Sequence, residues 1–414
     1  MKIAIVVGRG FEGAGIQKYI LELTAFLKLK DIEHNVFLLD DKKWGRGNMQ
    51  DKPIHSLITK DNIDTFYDTL NEFDYVFINS VPSVKHSQWA QDGFLKMVKG
   101  IKTKKIIFQN DHKIASIWRN ANFFELCNQC DGIVSHSITS PFFNKLVTLY
   151  GSVIKNKFIQ LHVGFNFEPL LKYRKTEHYK KITYLGRFAT FKQPERLYGF
   201  LPFAKQNNLL LEMKGVERSL GALNIFYDDI ATKTPNHRMV EVNKKVIENG
   251  LQVENDKRNL DKVYIFGPYD YIDGMETLSN SLVGADFYHL DADAYGDNFE
   301  YAQCEIVGVG TVPMFDYHWA ENCWVYDSKG NKTDKRFVDL DTYGLFVKKD
   351  LTNVKETIEK INDIYSNKTL HKQYLDCSYE ITQAHCDSKW IFQKLIDDVL
   401  VLEKTKVIKS KSLF

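Results

Sequence analysis

Apolar positions switch repeatedly along the chain between short unbroken runs and stripes at helical spacing. Ile3-Ala4-Ile5-Val6-Val7 is such a run, the pattern of a strand buried on both faces, and it stops at Gly8. Beyond the glycine-rich turn from Gly8 to Gly15, the residues Ile16, Tyr19, Ile20, Leu23, Phe26 and Leu27 share one helical face. Runs at 35–39, 74–78, 105–108, 132–134 and 158–161 predict further strands, with helical stretches between most of them. Strands alternating with helices predict a parallel sheet wrapped on both faces. The second half repeats the opening. A strand at 182–185 runs into Gly186-Arg187, a helix begins near Pro194, and strands follow at 209–213, 263–266, 285–290 and 311–315.

The polar stretch 165–181 reads as a linker between the halves, and 228–261 as a polar insertion of low regularity. Trp390, Ile391, Leu395, Ile396, Val399 and Leu400 lie at helical spacing and predict a long final helix. The expected organisation is an N-terminal Rossmann-like domain over 1–167, a second over 168–385, and a helix and tail over 386–414. This is an α/β chain whose two Rossmann-like domains face each other across a cleft, the arrangement called GT-B, common among sugar-nucleotide transferases. Ligands of open α/β sheets sit at the carboxyl ends of the strands, so the cleft is where chemistry is expected.

Composition narrows the function classes. With 414 residues and 44% hydrophobic content the chain is too long for one ordinary core, and two domains are the natural prior. No apolar run approaches the ~18 residues of a membrane span, so no membrane partner and a cytoplasmic location are expected. Cys127 and Cys130 form a Cys-x-x-Cys pair, but no second pair offers the remaining ligands of a structural zinc. Reduced, unligated thiols and no metal are expected. The net charge of +2, from 55 Lys+Arg against 53 Asp+Glu, neither demands nor excludes nucleic acid, since a local basic groove suffices for phosphate contacts.

Several segments could carry chemistry. Gly8, Gly10, Gly13 and Gly15 are spaced like a dinucleotide loop, but no acid follows the second strand in the right context. Asp40 and Asp41 come too late and read as part of a charged turn. The loop is either a helix N-terminus approaching a phosphate or a tight turn that needs glycine. Arg187 and Lys192 follow a strand directly and should emerge at the ligand edge, where fixed cations stabilise a departing diphosphate. The bland reading is two solvated cations. Glu300 and Glu305 flank the start of a helix that ends in glycine near Gly310 and enters a strand. A carboxylate there can accept sugar or ribose hydroxyls while the helix dipole stabilises its charge. It can equally be an ordinary acidic first turn. Asp111 and His112 follow the strand at 105–108, and His136 follows the strand at 132–134. Such a pair can orient a hydroxyl and take its proton, or simply cap a polar loop.

Taken in order, Arg9–Gly15, Ile78-Asn79-Ser80-Val81-Pro82, Gln109-Asn110-Asp111-His112 with Arg119-Asn120, and Ser135-His136-Ser137 resemble the bacteriophage DNA α-glucosyltransferase family. So do Gly186-Arg187 with Lys192, Gly215-Val216-Glu217-Arg218-Ser219, Glu300-Tyr301 with Glu305, and Gly310-Thr311-Val312-Pro313. Related DNA arabinosyltransferases look similar in outline. The resemblance implies a hexosyl- or pentosyltransferase that retains anomeric configuration. Its donor would be a UDP-sugar and its acceptor the hydroxymethyl group of 5-hydroxymethylcytosine in double-stranded phage DNA, which the sugar protects from host nucleases. It also implies residue roles: Arg187 and Lys192 on the diphosphate, Glu305 on the ribose, Gly13, Gly15, Glu217 and Glu300 near the donor, Asp111 and His112 in catalysis, and His136 toward the acceptor. Asn110 stands where the family has His, and Gln193 where it has glycine.

Lysines at 102, 104, 105, 244 and 245 with Arg238 are candidates for a DNA path. The tail from Lys404 reads as a flexible basic stretch ending in Ser412-Leu413-Phe414, able to dock on a partner such as a replication clamp. The alternatives are a GT-B transferase of cell-envelope polysaccharide and a non-catalytic nucleotide-sugar or DNA-binding protein.

Overall fold

Unbroken runs of Val, Ile and Phe can be buried on both faces only inside a sheet covered by helices on each side. The computed structural model has this form twice. It describes residues 1–8, 15–41, 54–109, 122–135, 141–187, 192–216, 260, 263–266, 270–288, 299–327, 331–404 and 406–408. The chain divides into two compact units, the first from residues within 1–166 and 386–408, the second from residues within 167–292 and 299–385.

The first unit holds β1 (Lys2–Val7), β2 (Glu33–Leu39), β3 (Ser56–Ile58), β4 (Tyr75–Ser80), β5 (Lys104–Gln109), β6 (Gly132–Ser135) and β7 (Phe158–Gln160). They form one sheet in the order β3-β2-β1-β4-β5-β6-β7, with every pair parallel. The second unit holds β8 (Tyr179–Arg187), β9 (Leu210–Val216), β10 (Val263–Phe266), β11 (Ser281–Asp286), β12 (Val312–Asp316), a small antiparallel pair β13 (Trp324–Tyr326) and β14 (Lys332–Arg336), and β15 (Leu345–Val347). Its main sheet runs β10-β9-β8-β11-β12-β15, again all parallel. Counted from its own first strand, each sheet starts 3-2-1-4-5-6, the dinucleotide-fold order. Its direction reverses beside the first strand, at β1/β4 in one unit and β8/β11 in the other. In sheets of this order ligands bind at that reversal, outside the carboxyl ends of the strands.

Helix Gly15–Leu29 follows β1 and buries Tyr19, Ile20, Leu23, Phe26 and Leu27, the stripe read from the sequence. The final helix Ser388–Val401 packs in the same unit, with Phe392 edge-on to Tyr19 at 5.3 Å between centroids. Gly8 lets the end of β1 close against β4. Its N–H donates to Ser80 O at 2.9 Å, and a Cβ here would stand 2.5 Å from that same oxygen.

Some expectations need correction. The strand expected at 285–290 is Ser281–Asp286, four residues earlier. In the fold the Ser281 hydroxyl lies 2.7 Å from that of Thr183, and a Cβ at Gly284 would meet Ile306 at 2.8 Å. The segment from Pro194 is a 3-10 helix to Phe200, continued by one α-turn, Leu201–Ala204. The linker at 165–181 contains a 3-10 helix, Glu168–Tyr173, and the first residues of β8. Asp41 reads from the sequence as part of a charged turn. It is buried and accepts from the backbone N–H and hydroxyl of Ser87, which precedes helix Gln88–Gly100.

Lys105 leaves the list of DNA contacts. It is buried, and its Nζ donates to Val98 O at 2.8 Å and Ile101 O at 2.9 Å, closing the helix end. Lys157 does the same for the carbonyls of Asn128 and Cys130. Burial pushes the Cys130 thiol up to about 12 and Cys127 well above its ordinary value, so both are inert thiols at neutral pH. Ile408, in the tail read as flexible, is tied to the first unit. Asn128 donates to Ile408 O at 2.8 Å and accepts from Ile408 N at 3.0 Å, and Leu402 covers Gly132. The final residues 409–414, the insertion 228–261 apart from Leu260, and with it Arg238, Lys244 and Lys245, lie outside the described residues.

Candidate active site

In the second sheet the parallel strands all end on one edge, and the connections that leave them begin there. β8 ends at Arg187 and β11 at Asp286, the two strands that flank the reversal. Lys192 follows β8 in the connection to the 3-10 helix Pro194–Phe200. The backbone there is sharply bent: Gln193 has φ +43 and ψ +46, the left-handed region that disfavours a side chain. This explains why a glycine suits that position in the family pattern.

Glu300 reaches the same edge from the other side. It is the N-cap of helix Tyr301–Gly308, and its N–H donates to Gln303 Oε1 at 2.9 Å. The preceding Phe299 is buried edge-on against Trp319 at 5.1 Å and Phe337 at 5.4 Å, which pins the helix start. Gly284 lets the helix lie directly on β11 through Ile306. At the far end Arg174 donates to Gly308 O at 3.1 Å and Val307 O at 3.4 Å, and Gly310 takes φ +78 to turn the chain into β12.

Lys192 Nζ donates to Glu300 Oε2 at 2.6 Å and lies 3.5 Å from Asp286 Oδ2. It also stands 4.3 Å from the ring centre of Tyr288, a cation–π distance. The Lys192 side chain is 9% exposed, Asp286 2% and Glu300 32%. Asp286 Oδ1 accepts from Tyr288 N at 3.1 Å, while Oδ2 has Lys192 as an ion-pair partner and no hydrogen-bond donor among the described residues. Burial pushes the Asp286 carboxyl above the usual range, Lys192 pulls it back, and Glu300 adds to the rise. A fixed cation among carboxylates at the N-terminus of a helix is suited to an anionic ligand. A phosphate replacing Glu300 would keep the ammonium's hydrogen bond and gain the helix field.

Of the residues expected at the site, Lys192 and Glu300 are brought into contact although 108 positions apart. Arg187 ends β8, at the same edge. Glu305 sits a turn inside the helix rather than at its start, so the dipole argument holds for Glu300 and not for Glu305. Gly15 opens helix Gly15–Leu29 in the first unit. Gly13, Asp111, His112, His136 and Glu217 lie outside the described residues. Asp286 and Tyr288 were missed. The signal for Asp286, an acid ending a strand beside the reversal, was hidden by the misplaced strand. Among the described residues no group of three or more His, Cys, Asp or Glu could hold a metal ion, and no helix is long and apolar enough to cross a membrane.

Two parallel sheets of dinucleotide-fold order, with this charged edge on the second, give the chain the GT-B fold. The profile described as DNA alpha-glucosyltransferase matches residues 14–369, and the chain belongs to that family. It is 24% identical over 419 residues to the DNA alpha-glucosyltransferase of Enterobacteria phage T4, covering 96% of this chain and 99% of that one. It is also similar to the solved structure of an alpha-glucosyltransferase in complex with UDP-glucose and DNA containing an abasic site. There the TM-score is 0.79 and the identity 22%, over 97% of this chain and 99% of that one. A second structure, with UDP and a 13-mer DNA containing a HMU base, gives a TM-score of 0.78 at 22% identity over the same shares of the two chains.

Proposed function

We propose that this chain transfers glucose from UDP-glucose to the hydroxymethyl group of 5-hydroxymethylcytosine in double-stranded DNA, with retention at the anomeric carbon. The observation that carries the donor half is the Lys192 ammonium, held between Asp286 and Glu300 at the strand-order reversal of the second unit. Lys192 and Arg187 hold the diphosphate and stabilise the charge that grows as the glycosidic bond breaks, which is the largest catalytic contribution expected. Glu305 takes the ribose hydroxyls, and Glu300 and Glu217 lie near the donor. Gly13 and Gly15 belong to the donor-binding set, through their backbone N–H groups.

Asp111 or His112 orients the acceptor hydroxyl and takes its proton, with His136 on the acceptor side. The base leaves the stack so that its hydroxymethyl group can enter the enclosed site. Support for the acceptor comes from the family, from the name of the phage T4 relative, and from the relatives crystallised with UDP or UDP-glucose and DNA. Sugar on phage DNA would shield it from host nucleases, and the work would be done in the host cytoplasm. UDP release from UDP-glucose is the test, with duplexes carrying 5-hydroxymethylcytosine, 5-hydroxymethyluracil or unmodified cytosine. Release dependent on the 5-hydroxymethylcytosine duplex is expected. Equal release with unmodified DNA overturns the acceptor, and faster release with UDP-arabinose than with UDP-glucose overturns the choice of sugar.

A further inference from the structure

The two carboxylates on Lys192 are not equivalent. Asp286 ends β11, is 2% exposed, and has one oxygen tied to the backbone N–H of Tyr288, so its position is set by the sheet. Glu300 is 32% exposed, caps a helix, and reaches the ammonium through a side chain with one more rotatable bond. A triad of one ammonium and two carboxylates carries a net negative charge when all three are ionised. A diphosphate reaching this ammonium competes with the two carboxylates for it, and the exposed one is the more readily displaced.

We propose that Asp286 is a positioning residue for the transfer: it keeps the Lys192 ammonium at the strand ends while Glu300, the exchangeable counter-ion, surrenders it to the donor's diphosphate. The inference rests on the donor site proposed above. Glu300 then competes with the ligand in the empty protein. Asp286 never touches the donor and acts on the leaving group only through Lys192.

The test uses the full chain and three variants, K192A, E300Q and D286N. UDP affinity is measured by calorimetry, turnover by UDP release with 5-hydroxymethylcytosine DNA, and folded fraction by circular dichroism. K192A should lose UDP affinity. E300Q should bind UDP about two- to fivefold more tightly, the scale of a part-exposed ion pair. D286N should lose about ten- to a hundredfold in kcat per folded molecule, the cost of a misplaced catalytic group, while UDP affinity changes less than about twofold. A merely structural role for Asp286 would lower the folded fraction and leave kcat per folded molecule alone. If K192A loses UDP but E300Q does not gain it, or D286N keeps its kcat, the inference fails and the donor site stands. If K192A binds UDP as well as the parent, or the parent releases no UDP, the donor reading and this inference fall together.

Discussion

Replacing Lys192 by Met should expose how the charged edge is balanced. The change keeps the aliphatic stem and removes the ammonium, leaving Asp286 at 2% exposure with Tyr288 N as its hydrogen-bond donor and no countercharge. An isolated buried carboxylate takes a proton rather than stay charged. Protonating at pH 7 a group whose free value is near 4 costs about 3 pH units, or about 4 kcal/mol, which bounds the loss. Breaking a buried pair typically costs about 3–5 kcal/mol, so the two routes agree.

At pH 5 the same protonation costs only about 1.5 kcal/mol. The sign follows from linkage. A carboxyl whose folded value lies above its unfolded value binds more protons in the fold, so its contribution falls as pH rises. K192M should therefore be less stable than the parent by about 3–4 kcal/mol at pH 7 and by about half of that or less at pH 5. The double variant K192M/D286N should recover most of the loss, because a neutral amide needs no countercharge. Urea unfolding of the four proteins at both pH values, followed by circular dichroism, gives the cycle. A K192M deficit that is absent at pH 7, or equal at both pH values and unrelieved by D286N, would refute the reasoning.

Other outcomes concern single sites. Q193G should stabilise the protein by about 0.5–1 kcal/mol, because Gln193 at φ +43 occupies glycine's region; a lower urea midpoint would contradict this. His178 packs edge-on to His371, and burial with that neighbour lowers it to about 4. A base depressed in the fold gives stability that is present above the unfolded value near 6.5 and lost as pH falls from there toward 4. H178F should flatten the fall in melting temperature across that window, and an unchanged slope in H178F would remove His178 as its source. G8A should cost about 1–3 kcal/mol, because its Cβ meets the backbone oxygen of Ser80, and unchanged unfolding of G8A would show that β1 and β4 can part without penalty.

Much of the fold is legible in the chain because period is a local property. Ile3–Val7 and the stripe from Tyr19 to Leu27 read directly as a buried strand and an amphipathic helix, and both are present. Strand order is not local, and nothing in the runs says that both sheets reverse at their first strand. β11 was misplaced for a related reason. Ser281 and Gly284 are dictated by Thr183 and Ile306, distant partners that a single sequence does not display. Asp286 was lost with that boundary. Lys105 looked like a surface cation because its partners, the carbonyls of Val98 and Ile101, are backbone atoms without a sequence signature. Lys192 and Glu300 were legible as types, a cation after a strand and an acid before a helix, while their contact across 108 positions was not.

The central claim is transfer of glucose to a modified base in DNA. It is tested most directly by incubating the chain with UDP-glucose and duplex DNA containing 5-hydroxymethylcytosine, digesting to nucleosides, and measuring their masses and anomeric configuration. The account predicts 5-hydroxymethyl-2′-deoxycytidine heavier by one anhydroglucose in α linkage, absent with K192A. An unchanged nucleoside, or a sugar attached anywhere other than the hydroxymethyl oxygen, would contradict it.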